Sequence, residues 1–352
     1  MGDVPHHLRN LLPALAFLLA AVPLALLLGR LGFFDAVAST IAARTSSVPL
    51  GALWLLAGFT TVVLNLDTTI VLLTPLFLRL GRRAGVDPLP VAAIALLQAS
   101  LASSVLPVSN LTTLVAVEQL HLTVGDVVTH LALPSVVAST VGWLAYHRLH
   151  VGALRVPDNL APDRRPLLVG GAIVAGLLVG FTLGPSVGVP SWLVALVADL
   201  VLVVVTRSVP WRSVPLATAA VVAAVAAVVA LVVPGDLVRG LVSHDAPLAV
   251  ALVTGVGAAA ANAVNNLPAL FVGLGDATHV TWGLWAWLLG VNTGAALLPL
   301  GALANLLWHR ILRADQLAIG WRRHLRLAVP VAGPALVAAA ATLALERAVM
   351  GR

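Results

Sequence analysis

The sequence predicts an all-α integral membrane protein, built as an inverted repeat with two re-entrant hairpins and broken helices. Three observations predict it. Of 352 residues, 60% are hydrophobic and only 10% charged, whereas a soluble domain devotes about 25% of its residues to charge. With a mean hydropathy of +1.03, most of this chain has lipid as its solvent. The apolar residues fall into runs of about 20, the length that crosses a hydrocarbon core of about 30 Å. Several runs are interrupted by Asn, Asp, Ser, Thr, Gly or Pro, and the interruptions recur in the same order in each half.

Residues 11–29 make a first span. It is expected to be retained, because its apolar stretch is too long for a signal peptide and lacks a small-residue cleavage pattern. Residues 31–43, with Phe33, Phe34 and Asp35, suit a helix near the interface. Residues 50–80 are apolar but broken by Asn65, Asp67, Thr68 and Thr69. Residues 89–117 are broken by Pro107, Ser109 and Asn110, and 127–146 form a clean span. The polar, Arg- and Pro-containing stretch 147–166 reads as a linker, with 151–165 as its cytoplasmic core. Spans follow at 167–183, 192–205 and 216–233. Then the pattern returns: 248–274 is interrupted by Asn262, Asn265, Asn266 and Pro268, 282–308 by Asn292, Gly294, Pro299 and Gly301, and 327–345 closes the chain. The repeats are therefore 1–150 and 166–352. Paired interrupted segments in matching places mark an inverted-repeat transporter. The plainer explanation, that Gly, Pro and Asn are tolerated in membranes, leaves the matching order unexplained.

Arginine placement tests this topology. With hairpins at the Asn/Asp segments and the N-terminus outside, Arg30, Arg44, Arg79, Arg82, Arg83, Arg148, Arg155, Arg164, Arg165, Arg207, Arg212, Arg310, Arg313, Arg322, Arg323 and Arg326 fall in the cytoplasm. Only Arg9, Arg239, Arg347 and Arg352 fall outside, with Glu118, Asp126, Asp236, Asp245 and Asp276. That is the positive-inside rule obeyed. It places a multi-pass protein in a bacterial-type inner membrane, the first hairpin opening to the cytoplasm and the second to the outside.

Several functions are excluded. Without cysteine there are no disulfides, thiolate metal sites or cysteine nucleophiles. The net charge of +6 and pI near 11.4 come from arginines scattered through loops, so no nucleic-acid surface is expected. Histidines fall in loops without metal-ligand spacing, and no metal or other cofactor is expected. The Trp residues lie mostly near span ends and read as interfacial anchors. With no lysine there is no Walker-type phosphate loop. An intramembrane enzyme would need paired catalytic groups at one depth. Asp67 and Asp199 are the only acids deep in spans, and no His joins them.

Polar groups at membrane depth survive where they are buried in protein or line a wet cavity, so the polar tips of the breaks are expected to meet. They are Asn65, Asp67, Thr68 and Thr69; then Ser109, Asn110, Thr112 and Thr113; then Asn262, Asn265 and Asn266; and last Asn292, Thr293, Gly294 and Asn305. An ionisable residue inside an apolar stretch marks a functional site. A carboxylate whose charge is costly at that depth suits a proton carrier, so Asp67 is the candidate. Its competing role is to cap the helix that follows. Asp199 and Gln98, outside the repeated pattern, are expected to make structural pairings. Asn, Ser and Thr suit a small solute held by hydrogen bonds rather than by charge.

Gly32-Phe33-Phe34-Asp35, then Asp67 with Thr74-Pro75, Leu106-Pro107-Val108-Ser109-Asn110-Leu111 and Asn265-Asn266-Leu267-Pro268 lie in order along the chain. Gly294, Pro299-Leu300-Gly301, Leu303-Ala304 and Leu306-Leu307-Trp308 complete the series. At these residues the chain resembles the arsenical pump membrane protein family, arsenite/antimonite efflux permeases of the ion transporter superfamily. It departs at Leu66, where the family has Asn, at Gly294-Ala295 for Gly-Pro and Leu298-Pro299 for Thr-Pro, and at Ala302 and Asn305 for Ser and Thr. The resemblance implies export of trivalent arsenic or antimony by proton antiport, a homodimer, and in some members a separate cytoplasmic ATPase subunit. A sodium- or proton-coupled carboxylate or oxyanion carrier of the same superfamily is the alternative, through its likeness at Ser109-Asn110. The expected mechanism is alternating access, with Asp67 protonated and ionised in turn.

Overall fold

Backbone N–H and C=O groups facing hydrocarbon find partners only within helices or closed barrels, and this chain answers with helices. The computed structural model describes residues 4–45, 48–150, 153–154, 164–211, 214–232, 234, 237–275, 277 and 279–350. In order they form α1 (Val4–Leu31), α2 (Phe33–Thr45), β1 (Val48–Pro49), α3 (Leu50–Val63), α4 (Leu66–Arg83) and α5 (Pro88–Leu101). A 3-10 turn at Pro107–Ser109 leads to α6 (Leu111–Leu120), and α7 (Val124–Val127) runs through a π turn at Val128–Ala132 into α8 (Leu133–Leu149). Then come β2 (Ala153–Leu154), α9 (Arg164–Leu183), α10 (Ser191–Thr206), α11 (Leu216–Val232), α12 (Arg239–Val242), α13 (Pro247–Val264), α14 (Asn266–Leu274) and α15 (Trp282–Thr293). A 3-10 turn at Gly294–Ala296, α16 (Leu303–Ala314) and α17 (Trp321–Met350) complete the chain.

The helices break where the polar residues interrupt the apolar runs: α3 from α4 at Asn65, α5 from α6 around Pro107, α13 from α14 at Asn265, and α15 from α16 after Thr293. Within the linker core, residues 153–154 and 164–165 are among those described. Its Ala153–Leu154 pairs antiparallel with Val48–Pro49, Val48 opposite Leu154, which pins it to the start of α3. Residues 155–163, with Arg155, lie outside the described residues, as do Arg212, Asp236, Asp276 and Arg352.

Among the described residues four helical stretches are long and apolar enough to cross a membrane: Val124–Leu149, Arg164–Leu183, Pro247–Val264 and Trp321–Met350. Leu55, Phe59, Leu144, Leu168, Val204, Leu248, Leu252, Val337 and Leu345 are exposed on the outer faces, an apolar coat far larger than a soluble monomer tolerates. This is a multi-pass membrane protein. At its centre stand two helices apolar on every side, the mark of complete burial. On α5 every residue from Val91 to Leu101 is buried, and on α15 every residue from Gly283 to Thr293.

Four of the tryptophans contribute to this core, while Trp211 and Trp321 are exposed. Trp54, Trp285, Trp287 and Trp308 are buried, which corrects the reading of these four as anchors. Their indoles act as staples: Trp54 Nε1 donates to Ser139 O at 3.2 Å, Trp287 Nε1 to Ala269 O at 2.9 Å, and Trp308 Nε1 to Ala92 O at 3.0 Å. Hydropathy along a chain does not distinguish an indole facing lipid headgroups from one facing a carbonyl on a neighbouring helix. Gln98 is a structural link as expected, donating to Trp54 O at 3.0 Å and to Ser139 Oγ at 2.9 Å. Asp199 is not: it is buried in α10 and its Oδ1 has no hydrogen-bond partner among the described residues.

Arg79 pairs with Asp35 at 3.2 Å, Arg82 with Asp315 at 2.8 Å and Arg323 with Asp87 at 3.4 Å; the three arginines are among those read as cytoplasmic. Arg347 and Asp245, both read as lying outside, are joined through Arg347 Nε, which donates to Asp245 O at 2.8 Å. The exposed pairs add little stability, about 0–1 kcal/mol each.

Small residues let α13 and α15 approach backbone to backbone, as in membrane helix pairs generally. A Cβ at Gly290 would overlap Thr254 O, whereas one at Gly255 on α13 would meet open space. Gly290→Val is expected to destabilise the protein by about 1–3 kcal/mol or more, read as a lower unfolding midpoint in detergent. Gly255→Val should leave that midpoint unmoved.

Candidate functional site

Each break frees backbone groups that need partners, and asparagine supplies most of them. In the first break Asn65 caps α4, its Oδ1 accepting from Thr68 N at 2.8 Å. Thr69 Oγ1 donates to Asn65 O at 3.0 Å and lies 2.9 Å from Thr61 Oγ1. Asp67 sits in the first turn of α4 and takes no part in the cap. Among the described residues its carboxylate makes no hydrogen bond or ion pair. The competing capping role therefore belongs to Asn65.

In the second break Asn110 caps α6, its Oδ1 accepting from Thr112 N at 3.1 Å. Ser109 Oγ accepts from Leu106 N at 3.1 Å and donates to Val62 O at 3.0 Å, which fastens this break to the end of α3. Asn292, on the last turn of α15, reaches the same place from the other half of the chain. Its Oδ1 accepts from Asn110 Nδ2 at 3.1 Å and from Thr112 Oγ1. Its Nδ2 donates to Ser104 Oγ and Thr113 Oγ1, each at 2.9 Å. Asn110 Nδ2 also donates to Ser103 Oγ at 3.2 Å. Both donors and both lone pairs of the Asn292 amide are thus in use, and every side chain of this cluster is buried.

The third break is stitched to the fourth. Asn265 has φ 80°, the left-handed region that Asn enters more readily than other non-glycine residues. Its Oδ1 accepts from Leu267 N at 3.3 Å and its Nδ2 donates to Leu300 O at 3.0 Å. Asn266 N donates to Gly301 O at 2.9 Å. Asn262 Nδ2 donates to Ala258 O at 2.7 Å and to Gly294 O at 2.8 Å, while its Oδ1 accepts from Leu298 N at 2.8 Å. Gly294 itself packs where any Cβ would overlap Ala258. Asn305 Nδ2 donates to Ala295 O at 2.7 Å and Leu298 O at 2.8 Å.

The expected meeting of polar tips therefore takes the form of a chain, first to second, second to fourth, fourth to third. Among the described residues no hydrogen bond joins the first break to the third. The buried hydroxyls of Thr68 and Thr293 have no hydrogen-bond partner among the described residues. Cavities flank the breaks: one of about 240 Å³ runs from Pro107 to Glu118, His121 and Pro185, and an apolar one of about 340 Å³ lies beside Asn265, Pro268 and Leu303. The buried polar side chains are amides, hydroxyls, Asp199 and two histidines, without an arginine among the described residues.

Ser103 and Ser104 were not singled out in the sequence, although they stand in the second break beside Pro107. The histidines require a correction. His147 lies in α8, His309 in α16 and His324 in α17, and His130 lies in the π turn, so they are not loop residues. Their neighbours along the chain are too mixed for hydropathy to show it.

A family model described as citrate transporter, CitMHS, matches residues 11–291, ending one residue short of Asn292. The arsenical pump membrane protein of Yersinia enterocolitica is 25% identical over 386 aligned positions, covering 99% of this chain and 90% of its own. That of Escherichia coli K12 is 26% identical over 382 positions, covering 98% and 89%. The likeness carried by the motifs thus extends over nearly the whole chain.

Cap and carboxylate are separable by substitution. Asn65→Ala is expected to cost about 1 kcal/mol of stability, measured by thermal unfolding in detergent. Asp67→Asn should cost clearly less, since it removes no bond; an equal loss would return the capping role to Asp67.

Proposed function

Because the chain belongs to the CitMHS citrate transporter family, we propose that it is a secondary active transporter, and that it exports trivalent arsenic or antimony from the cytoplasm by proton antiport. The observation that carries the choice of solute is the makeup of the joined breaks. They offer buried amides and hydroxyls and no arginine among the described residues. A hydrated trivalent metalloid is neutral and hydroxyl-rich, so such groups can exchange their mutual hydrogen bonds for bonds to it. The similar proteins of Yersinia enterocolitica and Escherichia coli carry the name of arsenical pumps. Without cysteine, recognition does not use thiolate bonds.

Asn65, Thr68, Thr69, Ser109, Asn110, Asn262, Asn265, Asn266, Asn292, Thr293 and Gly294 are the proposed contact or hinge residues, and Asp67 the proton carrier. Its freedom from the helix cap supports that role. In this reading residues 1–150 and 166–352 are inverted repeats, α3–α4 and α13–α14 are re-entrant hairpins, and the N-terminus lies outside a bacterial inner membrane. The hairpin-bearing unit moves against the remaining helices, in a homodimer, with or without a cytoplasmic ATPase subunit.

The family match itself favours a second reading, a sodium- or proton-coupled carboxylate or oxyanion carrier. The helix starts at Asn110 and Asn265 would then offer their partial positive charge to an anion. Everted vesicles separate the two. Energised by a proton gradient, they are expected to accumulate labelled arsenite, to lose it on adding an uncoupler, and to take it up about tenfold or more slowly with Asp67→Asn. Accumulation of a carboxylate with no arsenite uptake would establish the second reading instead.

A further inference from the structure

Two imidazoles with no place in that scheme lie against the fourth break. His309, near the end of α16, is 8% exposed and His324, in the first turn of α17, is fully buried. Their rings stack with centroids 5.2 Å apart. His309 Nε2 and His324 Nδ1 are 3.1 Å apart, and His324 Nε2 is 3.2 Å from the carbonyl oxygen of Ala296. Ala296 ends the turn that begins at Gly294. Trp308 stands edge-on to both rings and ties α16 to α5 through Ala92 O.

The bonds fix where hydrogens sit. A carbonyl only accepts, so His324 Nε2 carries a hydrogen; when His324 is neutral its Nδ1 is bare, and His309 must donate from Nε2. One added proton at His309 Nδ1 can pass along this line, the shared hydrogen moving to His324 Nδ1, with each ring keeping its contact. A second added proton would put hydrogens on both facing nitrogens and push the rings apart. The pair therefore has room for one exchangeable proton, and the charge it brings to His324 strengthens the bond that holds Ala296 O in the fourth break.

The surrounding charges are mostly basic. Arg313 lies one turn beyond His309 on α16, and Arg322, Arg323 and Arg326 flank His324 on α17. Arg323 is engaged by Asp87 and Arg82 by Asp315. α4, packed on α16, also carries Asp67, Arg79 and Arg83, while α5, α13 and α15 carry no charged residue. From α8, packed on α17, come His147 and Arg148; beyond its end burial holds His150 below its ordinary value, with Asp87 opposing. His130 stacks on Trp285 near the start of α15.

We propose that His309 and His324 together form a proton-holding site that couples protonation to the position of the fourth helix break, as a positioning pair separate from Asp67. The proposal rests on the transport reading for one of its two tests. In the first, ring-labelled histidines of the full chain in lipid nanodiscs are titrated by NMR, with His309→Gln and His324→Gln for assignment. The expected result is two rings that respond together to a single proton, and the loss of that joint step in either variant. Rings that titrate independently, or not at all, would overturn the pair. In the second, arsenite uptake is followed against pH. His324→Gln keeps an N–H for Ala296 and His309→Gln leaves the Ala296 bond alone, so one serves if the other folds poorly. Either is expected to flatten the pH dependence of the rate. An unaltered profile in a proton-driven transporter means the rings only pack. Transport indifferent to protons in the unsubstituted protein would sink the antiport reading, and the joint titration would then decide the pair by itself.

Discussion

A helix broken inside an apolar environment leaves amides and carbonyls with no water to bond, at a cost of several kcal/mol for each one unsatisfied. The molecule meets that demand with asparagine. Asn65, Asn110 and Asn265 cap the helices that restart after a break. Asn262, Asn292 and Asn305 bond the break that lies beside them. An amide suits both tasks because it donates and accepts at once, so one side chain can cap its own helix and hold another. Serine and threonine, with a single hydrogen to give, appear as secondary partners. The burial of α5 and α15 is compatible with this, since most polar side chains of the breaks in which they end, Thr293 excepted, are bonded within the protein.

The order of these bonds matters more than their number. Asn292 draws all of its partners from the second break, 179 to 188 residues away in sequence. The third and fourth breaks are held through backbone carbonyls at Gly294, Ala295, Leu298 and Leu300. Displacing a few amide bonds would therefore free the second break from the fourth while the apolar contacts of α13 with α15 stay intact. A hydroxyl-bearing solute can supply replacement bonds one at a time, and so lowers the cost of such a rearrangement without adding or removing charge. A fully ionised solute would instead have to be desolvated against neutral groups.

The positions of the breaks were legible in the sequence because Asn, Pro and Gly stand out against long apolar runs, and the helix ends fall where those residues do. What joins the breaks was not legible. Asn110 and Asn292 meet only after the whole chain has folded, and no local spacing records it. Trp308 and His309 show the same limit from the other side. In sequence they look like the polar end of a span, yet their rings are buried because α17 returns with His324 to cover them. Asp199 fails differently: a structural pairing was expected because it stands outside the repeated pattern of breaks, and its Oδ1 has none among the described residues.

The departures from the arsenical pump pattern become intelligible at the same bonds. Where that pattern places Asn directly before the carboxylate, this chain has Leu66, with Asn65 one position earlier. In a helix start that single step decides which residue stands outside the first turn and reaches back to cap it; here it is Asn65, bonded to Thr68 N. Asp67 falls inside the turn, close to the positive end of α4 but without a hydrogen-bond obligation. An amide cannot titrate, so the cap stays in place whatever the proton does. Near the fourth break Asn305 stands where the pattern has a hydroxyl residue, and its amide reaches Ala295 O and Leu298 O together, which one hydroxyl hydrogen could not. Because the groups that hold the backbone at the first break are separate from the Asp67 carboxyl, the shape of this broken helix does not depend on the charge that carboxyl carries.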